Sequence, residues 1–244
     1  MRKKIKTGIP GLDEMLGGGL PEGSTMVISG PPGIGKSNLA MQYIYNGITQ
    51  SNESGVYLTI EDTVEDIEEY ASGFGWDFKT YEREGRLAIL GREIFEGTDM
   101  DLGMDFGILR DVIKDIQAKR VVLDSVTLFN YLFKEEASRR LHMLRFLELM
   151  KKTKCTTLMT AEQHGEFSKL QYGAEHFLAD GLMMLFWSRY KANNERCIWV
   201  VKLRGAKINS DIRPMKITSE GVSVYPREVP FTLIKKDVKS EYEI

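Results

Sequence analysis

The chain has 244 residues, 42% of them hydrophobic and 28% charged, with 33 basic and 35 acidic side chains and a formal net charge of −2. That length suits one large α/β domain with a sizeable core. The near-neutral balance excludes a general polycation, so any nucleic-acid binding must come from a local basic patch.

Elements follow in chain order. STMVIS (24–29) is a β-rich apolar run entering a Gly/Pro loop. SNLAMQYIYNG reads as a helix, with Leu39, Tyr43, Ile44 and Ile48 at helical spacing and Gly47 near its end. GVYLTI (55–60) is a second buried strand and TVEDIEEYASGFGW an acidic helix, followed by a third strand, RLAIL (86–90). GREIFEGTDMDLG is a polar loop, FGILRDVIKDIQA (106–118) an amphipathic helix and RVVLDS (120–125) a fourth strand ending in an acid. EEASRRLHMLRFLELMKKT (135–153) is a long helix with basic residues where the macrodipole favours them. CTTLMTA (155–161) is a fifth strand, and EQHGEFSKLQYGAEHF is loop with some helix. The rhythm then changes to hairpins: GLMMLFWSRY and RCIWVVKLR turning at KANNE, with Trp187 facing Trp199, then RPMKIT and GVSVY turning at SEG. Alternating strands and helices followed by hairpins predict a mainly parallel twisted sheet flanked by helices, with antiparallel strands added late. A single domain over 1–244 is expected, its core at about 5–225 and a charged, loosely held tail at 226–244.

No apolar run reaches membrane-spanning length. MRKKIKTG lacks the apolar stretch of a signal peptide. Cys155 and Cys197 sit in apolar runs as buried thiols, and His142, His164 and His176 share no ligand spacing. A reducing, cytoplasmic setting is the default expectation.

Chemistry concentrates first at Gly30-Pro31-Pro32-Gly33-Ile34-Gly35-Lys36-Ser37, which fits G-x-x-x-x-G-K-[ST] with a strand before and a helix after. The glycines let backbone N–H groups turn toward phosphate oxygens, and the helix directs its positive end to the same place. Lys36 is expected to reach the β- and γ-phosphates and Ser37 to ligate Mg²⁺, with Asn38 next in the helix. Asp124, ending an apolar strand, is where such a fold keeps the second Mg²⁺-side carboxylate, although a helix cap explains a lone Asp equally well. Ser125 assists the polar turn there. Glu61 and Asp62 end another strand, where a carboxylate can polarise the water that attacks the γ-phosphate; an acidic helix start is the alternative. Near the end of the chain, Lys202 and Arg204 are predicted to share one strand face.

TGIPGLDEMLGGGLPEGS before the phosphate loop, VYLTIED after it, RVVLDSVT and VVKLRG together resemble the single-domain, archaeal-type KaiC-like ATPases of the RecA superfamily, some of them described as paralogues of the recombinase RadA; the resemblance covers about residues 5–225. It implies a RecA-like P-loop core that binds ATP with Mg²⁺ and assembles into a ring, six subunits being the family habit. Glu61 and Asp62 match paired catalytic glutamates, Asp62 with a shorter side chain, and Asp124 matches the Walker B acid. Lys202 and Arg204 match residues that reach the neighbouring subunit's nucleotide. Gln163 lies where RecA-like proteins place a γ-phosphate-sensing residue. The family's base-contacting His and Lys are replaced by Ile208 and Ser210.

The leading expectation is therefore a Mg²⁺-dependent, ATP-hydrolysing homo-oligomer with shared nucleotide sites. One alternative is a recombinase paralogue binding single-stranded DNA through loops at about 129–140 and 163–176. Lys134, Arg139 and Arg140 are offset there by Glu135 and Glu136, without the dense basic and aromatic pattern of a strand-binding channel. Another is an autophosphorylating switch using Thr218 or Ser219. Protein partners are expected but not named by any motif.

Overall fold

The structure, a computed structural model, describes residues 2–91, 106–127, 129, 133–163 and 172–234. The predicted loop 91–103 falls almost wholly outside these residues, as do 130–132 of the first loop considered for DNA and 164–171, with His164, of the second.

A short antiparallel pair, β1 (Lys4–Ile5) and β2 (Leu20–Pro21), flanks one helical turn, α1 (Leu12–Met15). Sequence reading missed all three because each is too short to show a period. Their cause is local. Asp13 accepts hydrogen bonds from the Thr7 backbone N–H (2.8 Å), the Thr7 hydroxyl (2.9 Å) and the Gly8 N–H (3.2 Å), folding the segment back on itself. Leu12, Met15, Leu16 and Leu20 are then fully buried.

Among the described residues the main sheet has nine strands. They are β3 (Thr25–Gly30), β4 (Gly55–Thr59), β5 (Leu87–Leu90), β6 (Arg120–Asp124), β7 (Thr156–Glu162), β8 (Gly181–Tyr190), β9 (Asn193–Leu203), β10 (Arg213–Thr218) and β11 (Gly221–Val224). The order is β11-β10-β9-β8-β3-β7-β6-β4-β5. Strands from β8 through β3, β7, β6 and β4 to β5 pair in parallel, and β8 to β11 pair antiparallel. The helices are α2 (Lys36–Ser51), α3 (Val64–Ser72), α4 (Phe78–Arg83), α5 (Gly107–Asp115), α6 (Glu136–Thr153) and α7 (Ala174–Leu178).

The central strands are apolar runs because both faces are covered. Alternate residues feed two cores. Met26, Ile28, Tyr57, Val122 and Leu158 join the side packed by α2, while Val27, Val56, Leu58, Val121, Leu123 and Met159 join the side packed by α5 and α6. Cys155 and Cys197 are buried, and burial raises both thiols, Cys197 to about 12. Among the described residues no helix is long and apolar enough to cross a membrane.

Five local expectations are corrected. Helix α2 does not stop near Gly47 but continues to Ser51; Gly47 is there because the Arg120 side chain crosses it, where an added Cβ would lie 2.4 Å from Arg120 Cδ. Helix α4 was unseen, although Asp77 caps it by accepting from the Thr80 N–H. The KANNE turn is only Lys191-Ala192, since Tyr190 already pairs with Asn193. That register separates the tryptophans: Trp187 lies opposite Arg196, whose guanidinium sits 4.4 Å from its ring, and Trp199 lies opposite Met184. The early part of the expected tail is also anchored: Thr232 is fully buried, its hydroxyl 2.5 Å from Ser188 Oγ.

Candidate nucleotide site

Strands β3, β7, β6 and β4 are adjacent and parallel, so their C-terminal ends open onto one crevice, the usual ligand position in such sheets. The loop after β3 supplies residues 30–37. Gly33 and Gly35 hold positive φ (72° and 110°), and Gly35 is the residue before α2. A Cβ at Gly35 would come within 2.4 Å of Ile217 Cδ1, so strand β10 packs directly on the loop. Ile34 is buried beneath the loop, while Pro32 and Gly33 are exposed and Pro31, Lys36, Ser37 and Asn38 half-buried. Lys36 Nζ donates to the carbonyls of Gly30 (2.9 Å) and Pro31 (3.1 Å). Burial lowers the Lys36 ammonium, opposed by the nearby carboxylates of Asp124, Glu162 and Glu61.

Asp124 ends β6 with its carboxylate turned to the α2 side. It caps no helix. Tyr57 Oη donates to its Oδ2 at 2.5 Å and the Thr160 hydroxyl donates to its Oδ1. The next residue, Ser125, donates from Oγ to Glu61 Oε1 at 3.2 Å and accepts from the Thr127 N–H. Glu61 and Asp62 follow β4 and precede α3. The helix-start explanation for them fails, because Thr63 is the N-cap and forms a capping box with Asp66. Burial raises the Glu61 carboxyl above the usual range; the Ser125 hydrogen bond opposes this, and Glu162, Asp124 and Asp62 add to it. Asp62 is likewise raised, by burial and then by Asp124 and Asp66, with Tyr70 opposing.

Glu162 was not singled out from the sequence. It ends β7 directly opposite Gly30, on the same face as Thr160, and its charge acts on both Lys36 and Glu61. Gln163, the sequence candidate, is buried, and its N–H donates to the Gly30 carbonyl at 3.1 Å. By strand alternation it falls on the other side from Glu162. The one signal for Glu162 was its place at the end of an apolar strand, the same signal that marked Asp124.

Lys202 and Arg204 lie elsewhere. Leu203 pairs with Gly181, which pairs with Met26, four residues before Gly30 and about 13 Å back along β3. Lys202 Nζ donates to Ala179 O (2.8 Å) and Arg204 Nη2 to Phe177 O (3.0 Å), at the C-terminal end of α7. Burial lowers the Lys202 ammonium, and neighbouring Arg204 adds to this. Arg204 lies just past the end of β9 rather than within it. Ile208 packs against the core on the α2 side and Ser210 is exposed.

His142 and His176 are both buried. His142 stacks on Phe133 at 3.8 Å, and His176 Nε2 lies 3.1 Å from Ser29 Oγ, just before the phosphate loop.

The family model described as "ATPase: KaiC" matches residues 5–229. The chain belongs to the KaiC ATPase family. It is a single KaiC-like domain. It is 33% identical to a UPF0273 protein of Sulfurisphaera tokodaii over 97% of this chain and 87% of that one. It is 34% identical to the circadian clock oscillator protein KaiC of Parathermosynechococcus lividus over 91% of this chain, which spans only 42% of that longer protein. Among solved structures, the KaiC-like protein of Pyrococcus horikoshii superposes with a TM-score of 0.82 at 33% identity, covering 93% of this chain and all of that one. The RecA-like nucleotide-binding core expected from the motifs is therefore the fold of this KaiC-like domain.

Proposed function

We propose that this KaiC-like domain is a Mg²⁺-dependent ATPase whose nucleotide site is completed by a second copy of the chain. The observation that carries the reading is the separation of charges across the sheet. Lys36, Glu61, Asp124 and Glu162 gather at the C-terminal strand ends, whereas Lys202 and Arg204 stand at the opposite edge of the same molecule. A cation pair that serves a nucleotide from that edge serves a neighbour's, and a head-to-tail arrangement repeats this contact around a ring.

Ser37 and Asp124 present hard oxygen donors of the kind Mg²⁺ accepts while keeping several of its waters, so the residues fit the ion. Mg²⁺ would neutralise charge developing on the phosphates. The chain's own groups do the rest. Loop N–H groups and Lys36 hold the phosphates. Glu61, whose charged form the Ser125 hydroxyl favours against burial, accepts a proton from the attacking water, and Asp62 adds negative charge beside it. Arg204 and Lys202 of the neighbour stabilise charge at the γ-phosphate.

Lys36→Ala is expected to lose tight ATP binding in calorimetry while keeping its fold; undiminished affinity overturns the reading. Steady-state Mg-ATP hydrolysis should be measured at protein concentrations that allow assembly, with and without single-stranded DNA. Stimulation by DNA would favour the recombinase-like alternative. On the described residues, Arg139 donates to the carbonyls of Phe133 (3.1 Å) and Lys134 (2.8 Å) and keeps its charge.

A further inference from the structure

Asp124 has an unusual pair of supports. Its strand neighbours on each side, β4 and β7, each aim one hydroxyl at it. Tyr57 stands opposite Val122 in the register, and its ring reaches diagonally along the strand to Asp124 Oδ2. Thr160 approaches Oδ1 from the other side. Both donors are fully buried, in a layer whose other members, Ile28, Val122 and Leu158, are apolar.

A polar group in such a layer costs free energy unless it is paired. Phenylalanine at position 57 would fill the same space without a hydroxyl to satisfy. The hydroxyl is therefore explained by Asp124 rather than by packing. Each carboxylate oxygen carries two lone-pair sites, and one hydroxyl per oxygen leaves the outward lone pairs available.

We propose that Tyr57 and Thr160 are positioning residues for the metal-side acid: together they lock the Asp124 carboxylate in the one orientation that presents its free lone pairs to a hydrated divalent cation beside the phosphate loop. The inference rests on Asp124 serving Mg²⁺, as proposed above. Neither hydroxyl touches nucleotide or metal. Outer-shell partners of this kind are typically worth 10–100-fold in metal affinity or activity.

The test is a Mg²⁺ titration of binding of a fluorescent ADP analogue, read without turnover, on wild type, Tyr57→Phe, Thr160→Val, Thr160→Ser and Asp124→Asn. Tyr57→Phe and Thr160→Val are expected to raise the half-saturating Mg²⁺ concentration about tenfold or more. Mg²⁺-free nucleotide affinity should stay at the wild-type value, and Thr160→Ser, which keeps the hydroxyl, should restore the Mg²⁺ response. In the Asp124→Asn background the Tyr57→Phe change should have no further effect on Mg²⁺. If Asp124→Asn shifts the Mg²⁺ dependence but neither Tyr57→Phe nor Thr160→Val does, the two hydroxyls are structural and the inference fails alone. If Asp124→Asn also leaves it unchanged, the assignment of Asp124 to the metal fails and the inference falls with it. Thr160→Val decides the matter should Tyr57→Phe not fold.

Discussion

The two ends of β6 carry buried charges four residues apart in sequence and opposite in use. Arg120, 1% exposed, opens the strand. It pairs with Glu53 at 2.8 Å, donates to the carbonyls of Tyr43 and Lys6, each at 2.8 Å, and lies over the Tyr43 ring. Asp124 closes the strand, and no cation pairs with it at ion-pair distance among the described residues; its partners are neutral hydroxyls. Arg120 is saturated by its own chain. It ties α2, the N-terminal segment and the sheet together. Asp124 is oriented but not neutralised, which leaves a charge to be answered by something outside the chain. Burial alone does not distinguish a structural ion from a functional one; the kind of partner does. Lys202 and Arg204 sharpen the contrast at the same edge as Arg120. They rest on backbone carbonyls and have no carboxylate at ion-pair distance among the described residues.

The largest expected effect tests that contrast. Arg204→Ala should lower ATP hydrolysis by on the order of 10³ or more, the range of trans-acting arginines, with no loss of stability. Mixing it with Lys36→Ala separates the two edges. If sites are shared, a Lys36→Ala subunit supplies Arg204 to an Arg204→Ala neighbour, and the mixture of two inactive proteins regains activity. An additive, inactive mixture would mean that each subunit works alone. The next effect lies in stability. Arg120→Met leaves Glu53 without its ion pair, and chemical denaturation should show a loss of about 3–5 kcal/mol. Adding Glu53→Gln should recover part of it. An Arg120→Met protein as stable as wild type would mean that the N-terminal edge is not built around this ion.

The same contrast explains what could be read in advance. Strands β3, β4, β6 and β7 were legible because a parallel sheet buried on both faces leaves continuous apolar runs. The phosphate loop was legible because its glycines and Lys36 are adjacent in sequence. Glu61 and Asp124 were found as acids ending apolar strands. Glu162 ends one too, but its meaning depends on β7 lying beside β3, and strand order leaves no local mark. Tyr57 was read as one more strand residue, since all seven of its side-chain carbons and its burial are those of phenylalanine; only the register shows where its hydroxyl goes. The tryptophan pairing failed for a related reason: a two-residue turn sets a register that composition does not encode.

The smallest effect is one of pH, and it has two opposite signs. Glu61 must be ionised to accept a proton, and burial holds its carboxyl above the ordinary range. The acid limb of kcat/KM should therefore lie above that of an unperturbed glutamate, near 4.3. The Ser125 hydroxyl favours the charged form, so Ser125→Ala should move the limb to higher pH. The Glu162 carboxylate disfavours it, so Glu162→Gln should move the limb to lower pH. Two neighbours of one carboxylate shifting the profile in opposite directions would identify that carboxylate as Glu61. Shifts of the same sign, or none, would assign the limb to another group and leave Glu61 out of the proton transfer.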